Sequence, residues 1–200
     1  LNLYCKTEEK RLIVIVLSEE PIDDAIQLTK INRNLEILFR TGASYKSSDL
    51  RRLNLENAKA ILVFYNSNEK QEVNYLTEDS YVIKTFISLH SLLLENQKTS
   101  IPILLNFNEI ENSEYLEYIP DKNVVFFNKN YYNAKFISLL LLNPHYYSIF
   151  HELLSYEGNE IYFHRSTKYL GKTFETAMLS YPLAIPIGVR RNHTVILAPT

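Results

Sequence analysis

Residues 12–65 read LIVIVLSEEPIDDAIQLTKINRNLEILFRTGASYKSSDLRRLNLENAKAILVFY, and the order of their apolar runs decides the fold class. Leu12 to Leu17 and Ala60 to Tyr65 are short continuous runs of aliphatic and aromatic residues, typical of strands buried on both faces. Glu36 to Arg40 predicts a further strand between them. The pattern therefore predicts a β-α-β-α-β order and a parallel sheet.

The segments between these strands carry helix signals. Pro21 lies in the first turn of a predicted helix whose apolar residues run from Ile22 to Ile31. Ser47 or Ser48 can cap a short helix that continues to Leu55. Right-handed crossovers through such helices produce a doubly wound sheet.

The alternation continues as far as residue 128. Tyr75 to Leu94 predicts a long helix with a broad apolar stripe. Ile101 to Phe107 and Val124 to Phe127 predict two more strands, with a short helix around Ile110 to Leu116. We therefore expect an α/β lobe over residues 1–130, built as a Rossmann-like doubly wound parallel sheet.

The pattern changes after residue 130. Two helical stretches, Tyr132 to Leu142 and Pro144 to Tyr156, follow each other with only Asn143 between them. The remaining predicted elements are strands at Glu160 to His164, Lys168 to Gly171, Ile185 to Arg190 and His193 to Ala198, a tight turn at Arg191-Asn192 and a helix near Phe174 to Leu179. We therefore expect a helical crossover at residues 131–157 and a small C-terminal α/β lobe at residues 158–200.

Composition excludes several classes of protein. With 21 Lys and Arg against 23 Asp and Glu among 200 residues, the net charge of −2 gives no electrostatic reason to bind nucleic acid. No run reaches the roughly 18 apolar residues of a membrane-spanning helix, so we expect no direct membrane insertion. The single Cys5 excludes an intramolecular disulfide and favours a reducing compartment. Because the sequence starts at Leu1 without methionine, we expect a piece of a longer protein.

The glycines do not form a dinucleotide-binding loop. Only Gly42, Gly158, Gly171 and Gly188 are present, and no two are close enough for a G-x-G-x-x-G motif. Either the protein does not bind a nucleotide in this way, or the loop precedes Leu1. In the second case Leu12 to Leu17 is the second strand of a sheet that lacks its first strand.

Two residues at the strand ends are candidate ligand contacts. Glu19 lies where an acidic residue would meet a ribose, although an acidic residue inside a helix N-terminus also favours the helix dipole, which is the simpler explanation. Gly42 could allow a backbone to approach a nucleotide, or could only turn the chain with a positive φ.

No catalytic residue is predicted, so we do not expect an enzyme. There is no G-x-S-x-G motif, Cys5 has no sequence sign of a paired base, and the five histidines have no metal-ligand spacing. Two sets of carboxylates could gather around Ca²⁺ or could simply be solvated: Glu109, Glu111 and Glu114, or Glu152, Glu157 and Glu160.

The predicted crossover is rich in aromatic residues. They are Tyr131, Tyr132, Phe136, Tyr146, Tyr147 and Phe150. Such a surface can pack on a partner subunit or form a core of its own, and the sequence favours neither.

Two segments resemble a known family, the RCK (regulator of potassium conductance) domain. LIVIVLSEEP and ILFRTGASYKSSDLRRLNLENAKAILVF are similar to the middle of that domain, where a strand ends in Arg or Thr and Gly, an Asp-Leu pair follows on the next helix, and an Ala-led apolar strand closes the unit. The corresponding residues are Thr41, Gly42, Asp49, Leu50 and Ala58.

The C-terminal part resembles the CASTOR/POLLUX ion-channel family. The tail HELLSYEGNEIYFHRSTKYLGKTFETAMLSYPLAIPIGV is similar to the matching stretch of those channels. The residues that carry the likeness are Leu154, Gly158, Asn159, Glu160, Leu170, Gly171, Lys172, Phe174, Pro186 and Gly188. Together the two resemblances cover nearly the whole chain in the right order.

The resemblance implies a cytoplasmic gating-ring domain that self-associates as a dimer, tetramer or higher ring behind a channel pore domain. Ca²⁺ or a nucleotide gates such rings, depending on the member, and neither is required here. The implied remnant nucleotide cleft is formed by Glu19, Arg40 and Gly42. The implied subunit interface is formed by Tyr132, Phe136, Tyr146, Tyr147 and Phe150.

One departure weakens the nucleotide expectation. Many nucleotide-binding RCK domains carry an acidic residue directly after the glycine that corresponds to Gly42, where this chain has Ala43. The metal, the gating ligand and the conducted ion stay unknown. Two alternatives are a regulatory subunit of a bacterial potassium transporter and a fragment of an NAD-dependent oxidoreductase.

Overall fold

The computed structural model describes residues 11–19, 34–64, 75–98, 100–109, 111, 123–155, 158–191 and 194–199. The chain divides into two compact units, Leu1–Asn159 and Glu160–Thr200. The helices predicted at residues 22–31 and 110–116 fall outside the described residues, apart from Glu111.

The described elements follow one another in the order that the sequence predicts. They are β1 (Leu12–Ser18), β2 (Leu35–Thr41), α1 (Ser47–Leu50), β3 (Ile61–Val63), α2 (Tyr75–Glu95), β4 (Ile103–Phe107), β5 (Val124–Asn128), α3 (Lys129–Leu142), α4 (Tyr146–Leu154), α5 (Phe174–Met178), β6 (Gly188–Arg191) and β7 (Thr194–Leu197). The helix predicted from Ser47 to Leu55 is one α turn followed by two 3-10 turns. Asn54, whose φ is 55°, separates the two 3-10 turns.

The strands of the first unit pair in parallel. β1 pairs with β2 from Leu12↔Leu35 to Ser18↔Thr41, and β4 pairs with β3 on one side and β5 on the other. Both groups have their carboxyl ends at the start of α2, since Glu19 contacts Tyr81 and Asn108 contacts Asp79. The expected parallel α/β class is confirmed.

The described sheet is split between β1 and β3. No strand of the described residues pairs with the free edge of either one, although Leu17 packs against the core that β3 and β4 form with α2. Taken separately, the orders β2-β1 and β3-β4-β5 correspond to strands 3-2 and 4-5-6 of the Rossmann order 3-2-1-4-5-6. The absence of a first strand stays a prediction, because residues 1–10 fall outside the described part of the chain.

Helix α2 supplies one side of the core. Val82, Phe86, Leu89 and Leu93 recur at helical spacing and are at most 2% exposed, and they pack with Ile103, Leu105 and Phe107 of β4. Burying a side chain as large as Phe86 contributes about 1.5–3 kcal/mol to stability. Packing by this stripe explains why α2 runs over 21 residues.

The crossover helices begin and end at polar signals. Asn128 caps α3 by accepting the Tyr131 N–H at 2.8 Å, so the helix starts three residues earlier than predicted. Residues 143–145 form a turn in which Asn143 Oδ1 accepts the His145 N–H at 3.0 Å. Helix α4 therefore starts at Tyr146 rather than at Pro144.

The second unit has less regular structure than expected. The strands predicted at residues 160–164 and 168–171 are wrong: the first segment is irregular, and the second forms turns in which Leu170 N–H bonds to the Thr167 carbonyl and Gly171 has a φ of +76°. The hairpin is present as antiparallel β6 and β7, with Arg191 paired to Thr194 rather than in the turn.

Within the described residues, no helix combines the length and hydrophobicity that crossing a bilayer requires.

Candidate functional site

The strand-end cleft lies where β1 and β2 end side by side. The Gly42 N–H donates to the Ser18 carbonyl at 2.9 Å, so the backbones at Glu19 and Gly42 lie close together. The Tyr81 hydroxyl on α2 donates to Glu19 Oε1 at 3.1 Å. Glu19 is therefore bonded to the helix that covers the cleft.

Tyr81 is held in a partly buried position beside the loop that follows β2. Burial raises the pKa of the Tyr81 hydroxyl above its ordinary value of 10.0, and the Glu19 carboxylate raises it further, while a hydrogen bond with Ser44 acts in the opposite direction. The Tyr81 ring also packs edge-on against Tyr45, with centroids 5.4 Å apart. The neutral phenol is therefore favoured as the donor to Glu19.

Gly42 faces a carboxylate of its own chain. Asp49 Oδ2 accepts the Ala43 N–H at 2.9 Å. A Cβ atom at position 42 would lie 2.9 Å from Asp49 Cγ, closer than Cβ contacts in proteins. The approach of Asp49 explains the glycine without any ligand.

Arg40 is not drawn into this cleft by a hydrogen bond. Its Nη1 donates to the carbonyl of Phe39 at 3.0 Å, along the same strand. No hydrogen bond joins it to Glu19 or Gly42, both of which the structure describes. Of the three predicted cleft residues, the structure brings together Glu19 and Gly42.

The candidate Ca²⁺ ligands do not form a site in the described part of the chain. There, no three His, Cys, Asp or Glu residues are grouped so that they could hold a metal ion. Glu114 and Glu157 lie outside the described residues, so neither predicted set is described in full.

The crossover face, formed by α3 and α4, contains the predicted interface residues. Phe136 and Phe150 pack edge to face at 5.1 Å between centroids, and Tyr146 and Tyr147 contact Phe150 and His151. A groove of about 260 Å³ opens between the helices, lined by Phe136, Tyr147, Phe150, His151, Leu154 and Ser155.

Tyr132 lies apart from this groove. Its ring stacks on Phe127 of β5, with centroids 4.9 Å apart and planes within 4°. It also contacts Tyr131 edge-on, and Lys135 Nζ lies 4.3 Å from the Tyr131 ring centroid. Tyr132 therefore anchors the start of α3 to the sheet.

The crossover face carries more exposed apolar surface than the aromatic residues alone indicate. No side chain of α3 or α4 is fully buried, and Leu141 and Leu142 are 81% and 82% exposed. Ile137, Ile149 and Leu154 are more than half exposed as well. The sequence analysis named only aromatic residues for this interface and so did not include these aliphatic residues.

The second unit also lacks a fully buried side chain among its described residues. Its local contacts include Arg190 over the Phe163 ring at 4.8 Å and Tyr169 beside Tyr181 at 5.4 Å. Thr173 caps α5 by accepting the Thr176 N–H.

Two sequence families match the chain. The family described as "Calcium-activated potassium channel slowpoke-like RCK domain" matches residues 1–105. The family described as "Castor and Pollux, part of voltage-gated ion channel" matches residues 142–200. The first match lies within the first unit, and the second covers the end of the first unit and the whole second unit.

Curated relatives include the probable ion channel POLLUX of Arabidopsis thaliana, 22% identical over 94% of this chain and 23% of that protein. The ion channel POLLUX of Lotus japonicus is 19% identical over 90% of this chain and 19% of that protein. The chain thus spans about a fifth of the length of these relatives.

A solved structure of the human SLO3 gating ring aligns with 57% of this chain and 19% of that chain, at 22% identity and a TM-score of 0.41. The two family matches cover β1, β2, β3 and α2 in the first part of the chain and α4 in the second. The chain belongs to the RCK domains of the CASTOR/POLLUX ion-channel family.

Proposed function

We propose that this chain is a regulatory gating-ring domain of a CASTOR/POLLUX-like cation channel, which couples ligand binding and subunit assembly to pore opening. In this role it lies on the cytoplasmic side of the membrane and contacts the pore domain of a longer polypeptide. The family matches and the channel names of the relatives support a regulatory role rather than an enzymatic one.

The crossover face is the observation that carries the proposal. Residues 136–151 contain no Lys, Arg, Asp or Glu. The apolar side chains among them that are more than half exposed are Ile137, Leu141, Leu142, Tyr147 and Ile149. Monomeric proteins rarely expose contiguous apolar surface of this kind. A neutral, apolar surface is best covered by another neutral, apolar surface.

A second copy of the chain is the partner that fits this face. A two-fold contact places the same patch of each subunit against the other, so it requires a surface that complements itself. The crossover face offers both a groove, which Phe136 and Phe150 help to line, and exposed side chains such as Leu141 of α3. Aromatic anchors seated in grooves supply much of the binding energy of protein interfaces.

Ligand coupling operates as a shift between two arrangements of the assembled ring. A ligand shifts such an equilibrium only as far as its affinities for the two arrangements differ. We expect the ligand to bind in the strand-end cleft, because doubly wound sheets bind ligands at the carboxyl ends of their strands. The ligand classes to test are divalent cations and nucleotides.

The test is a thermal-shift titration of the 200-residue chain with CaCl₂, MgCl₂, ATP and NADH, with the mass measured by analytical ultracentrifugation on the same samples. At about 100 times its dissociation constant a bound ligand raises the melting temperature by roughly 5 to 10 °C. A saturable rise with one ligand, together with a change in association, supports the proposal. No rise with any of the four, or a rise without a change in association, contradicts the coupling.

A further inference from the structure

Four polar residues are buried together where β4 and β5 meet the first turn of α2. They are Glu78, Asp79, Asn108 and Asn128, and each is at most 7% exposed. Burying such groups is costly unless their hydrogen bonds are satisfied. Their partners therefore indicate what the buried groups hold in place.

Glu78 and Asp79 connect α2 to the end of β4. Asp79 Oδ1 accepts the Asn108 N–H at 2.9 Å, and Asp79 Oδ2 accepts the Glu109 N–H at 3.1 Å. The Asn108 side-chain amide donates to Glu78 Oε2 at 2.5 Å. A fourth, longer bond joins the Asn108 side-chain amide to Asp79 Oδ1 at 3.4 Å. The start of α2 is thus bonded to residues 29 or 30 positions along the chain through four hydrogen bonds.

Asn128 connects the loop at Asn108 to α3. The Asn128 Nδ2 donates to the Asn108 carbonyl at 2.6 Å, while its Oδ1 accepts the Tyr131 N–H at 2.8 Å. One side chain therefore caps α3 and bonds it to the loop held by Asp79. We call the set Glu78, Asp79, Asn108 and Asn128 the buried polar chain.

The opposite side of α2 contacts the strand-end cleft. Tyr81, two residues after Asp79, donates to Glu19, and Thr85 one turn later shares a 2.8 Å hydrogen bond with Ser44. The first three turns of α2 are therefore bonded to the end of β1 and the loop after β2 as well as to the buried polar chain. Satisfied polar networks in low-dielectric surroundings rigidify the groups that they join.

We propose that the buried polar chain is a coupling element that transmits displacements of the strand-end cleft through α2 to α3, the first helix of the crossover face. The inference rests on the proposed function for its biological meaning, because α3 carries the proposed subunit contact. The coupling itself lies within one subunit. It can therefore be measured whether or not the chain associates.

The decisive experiment is a double-variant cycle on the 200-residue chain, read by hydrogen–deuterium exchange of the α3 backbone amides. Tyr81→Phe removes the hydroxyl that contacts Glu19. Asn128→Ser keeps an N-cap acceptor for α3 but is too short to reach the Asn108 carbonyl. Ser91→Ala is the matched control, because Ser91 lies on α2 and its hydroxyl donates to the Ile87 carbonyl of the same helix at 2.9 Å.

We expect Tyr81→Phe to speed exchange in α3 by a factor of roughly 2 to 30, the range of coupling through packed networks. In the Asn128→Ser background the same change should have no effect on α3, and Ser91→Ala should have none in either background. Equal effects of Tyr81→Phe in both backgrounds, or none in either, would overturn the proposal.

Two controls keep the result interpretable. Urea unfolding shows that each variant is folded, and Asn128→Asp replaces Asn128→Ser if the latter is not, since Asp also keeps the cap and loses the donor. Light scattering shows whether the sample is monomeric. A monomer with coupled α3 exchange would contradict the proposed assembly and leave the intramolecular coupling intact.

Discussion

The Asp49 carboxylate fills the space beside Gly42: a Cβ atom at position 42 would lie 2.9 Å from Asp49 Cγ, while Asp49 Oδ2 accepts the Ala43 N–H. The turn after β2 is thus fixed by a side chain of α1 seven residues away. The Asp-Leu pair that carries part of the family resemblance therefore has a structural role in this chain.

Replacing Gly42 by Ala should destabilise the protein. The added methyl group must displace Asp49 and lengthen its bond to the Ala43 N–H, so we expect a loss of about 1–3 kcal/mol in the free energy of unfolding. Urea unfolding monitored by circular dichroism measures it. With Asp49→Ala already present, Gly42→Ala should cost much less, and an equal loss in both backgrounds would show that the Asp49 contact is not the reason for the glycine.

Phe86 should be a principal contributor to the core. It is fully buried between α2 and the β3-β4-β5 sheet, so Phe86→Ala should lower the free energy of unfolding by about 3–5 kcal/mol. Ile87→Ala is the matched control on the same helix, because Ile87 is half exposed and should cost far less. Similar losses for the two variants in urea unfolding would contradict the packing of α2.

The hydrogen bonds between Glu152 and Asn159, after the end of α4, should weaken at acidic pH. Asn159 donates its backbone N–H and its side-chain amide to Glu152 Oε1, at 2.9 and 3.0 Å, and these bonds lower the pKa of the Glu152 carboxyl below its ordinary value of 4.5. Since the folded-state pKa is lowered, the stabilisation is present above the unfolded-state pKa and is lost as the pH falls through the folded-state value. The Asn159 amide resonance should therefore shift in that acidic range in NMR spectra.

Glu152→Gln provides the control for this titration. The amide oxygen keeps an acceptor for Asn159 but has no carboxyl proton to gain, so the Asn159 resonance should no longer follow the pH. If the resonance still titrates in Glu152→Gln, another group is responsible. Gly158 belongs to the same turn, since its φ is +107° and a Cβ there would collide with Glu152 Oε1.

The sequence predicts the elements whose apolar residues follow a period. β1, β4, β5 and α2 are continuous runs or helical stripes, and they lie within two residues of the expected bounds. The strands expected at residues 160–164 and 168–171 do not form, because apolar runs such as Ile161 to Phe163 form a strand only beside a partner edge. Local pattern does not indicate whether that edge is present.

Hydrogen bonds between polar residues that are far apart in the sequence could not be predicted from the apolar periodicity. The Glu19 to Tyr81 bond joins residues 62 positions apart, and the Asp79 to Asn108 bond joins residues 29 positions apart. Periodicity reports which side chains are buried with the apolar core, not which buried polar groups satisfy each other. The aromatic residues of the crossover, in contrast, could be identified from the sequence, because they lie together in two predicted helices.

The crossover face should bind a second copy of the chain. Static light scattering on the wild type and on the double variant Phe136→Ser with Tyr147→Ser measures this association, and Leu183→Ser, at an almost fully exposed position of the second unit, is the control. We expect a dimer of about twice the 23.4 kDa chain mass for the wild type and the control, and a monomer for the double variant. An unchanged mass in the double variant, or a monomeric wild type at high concentration, would contradict it.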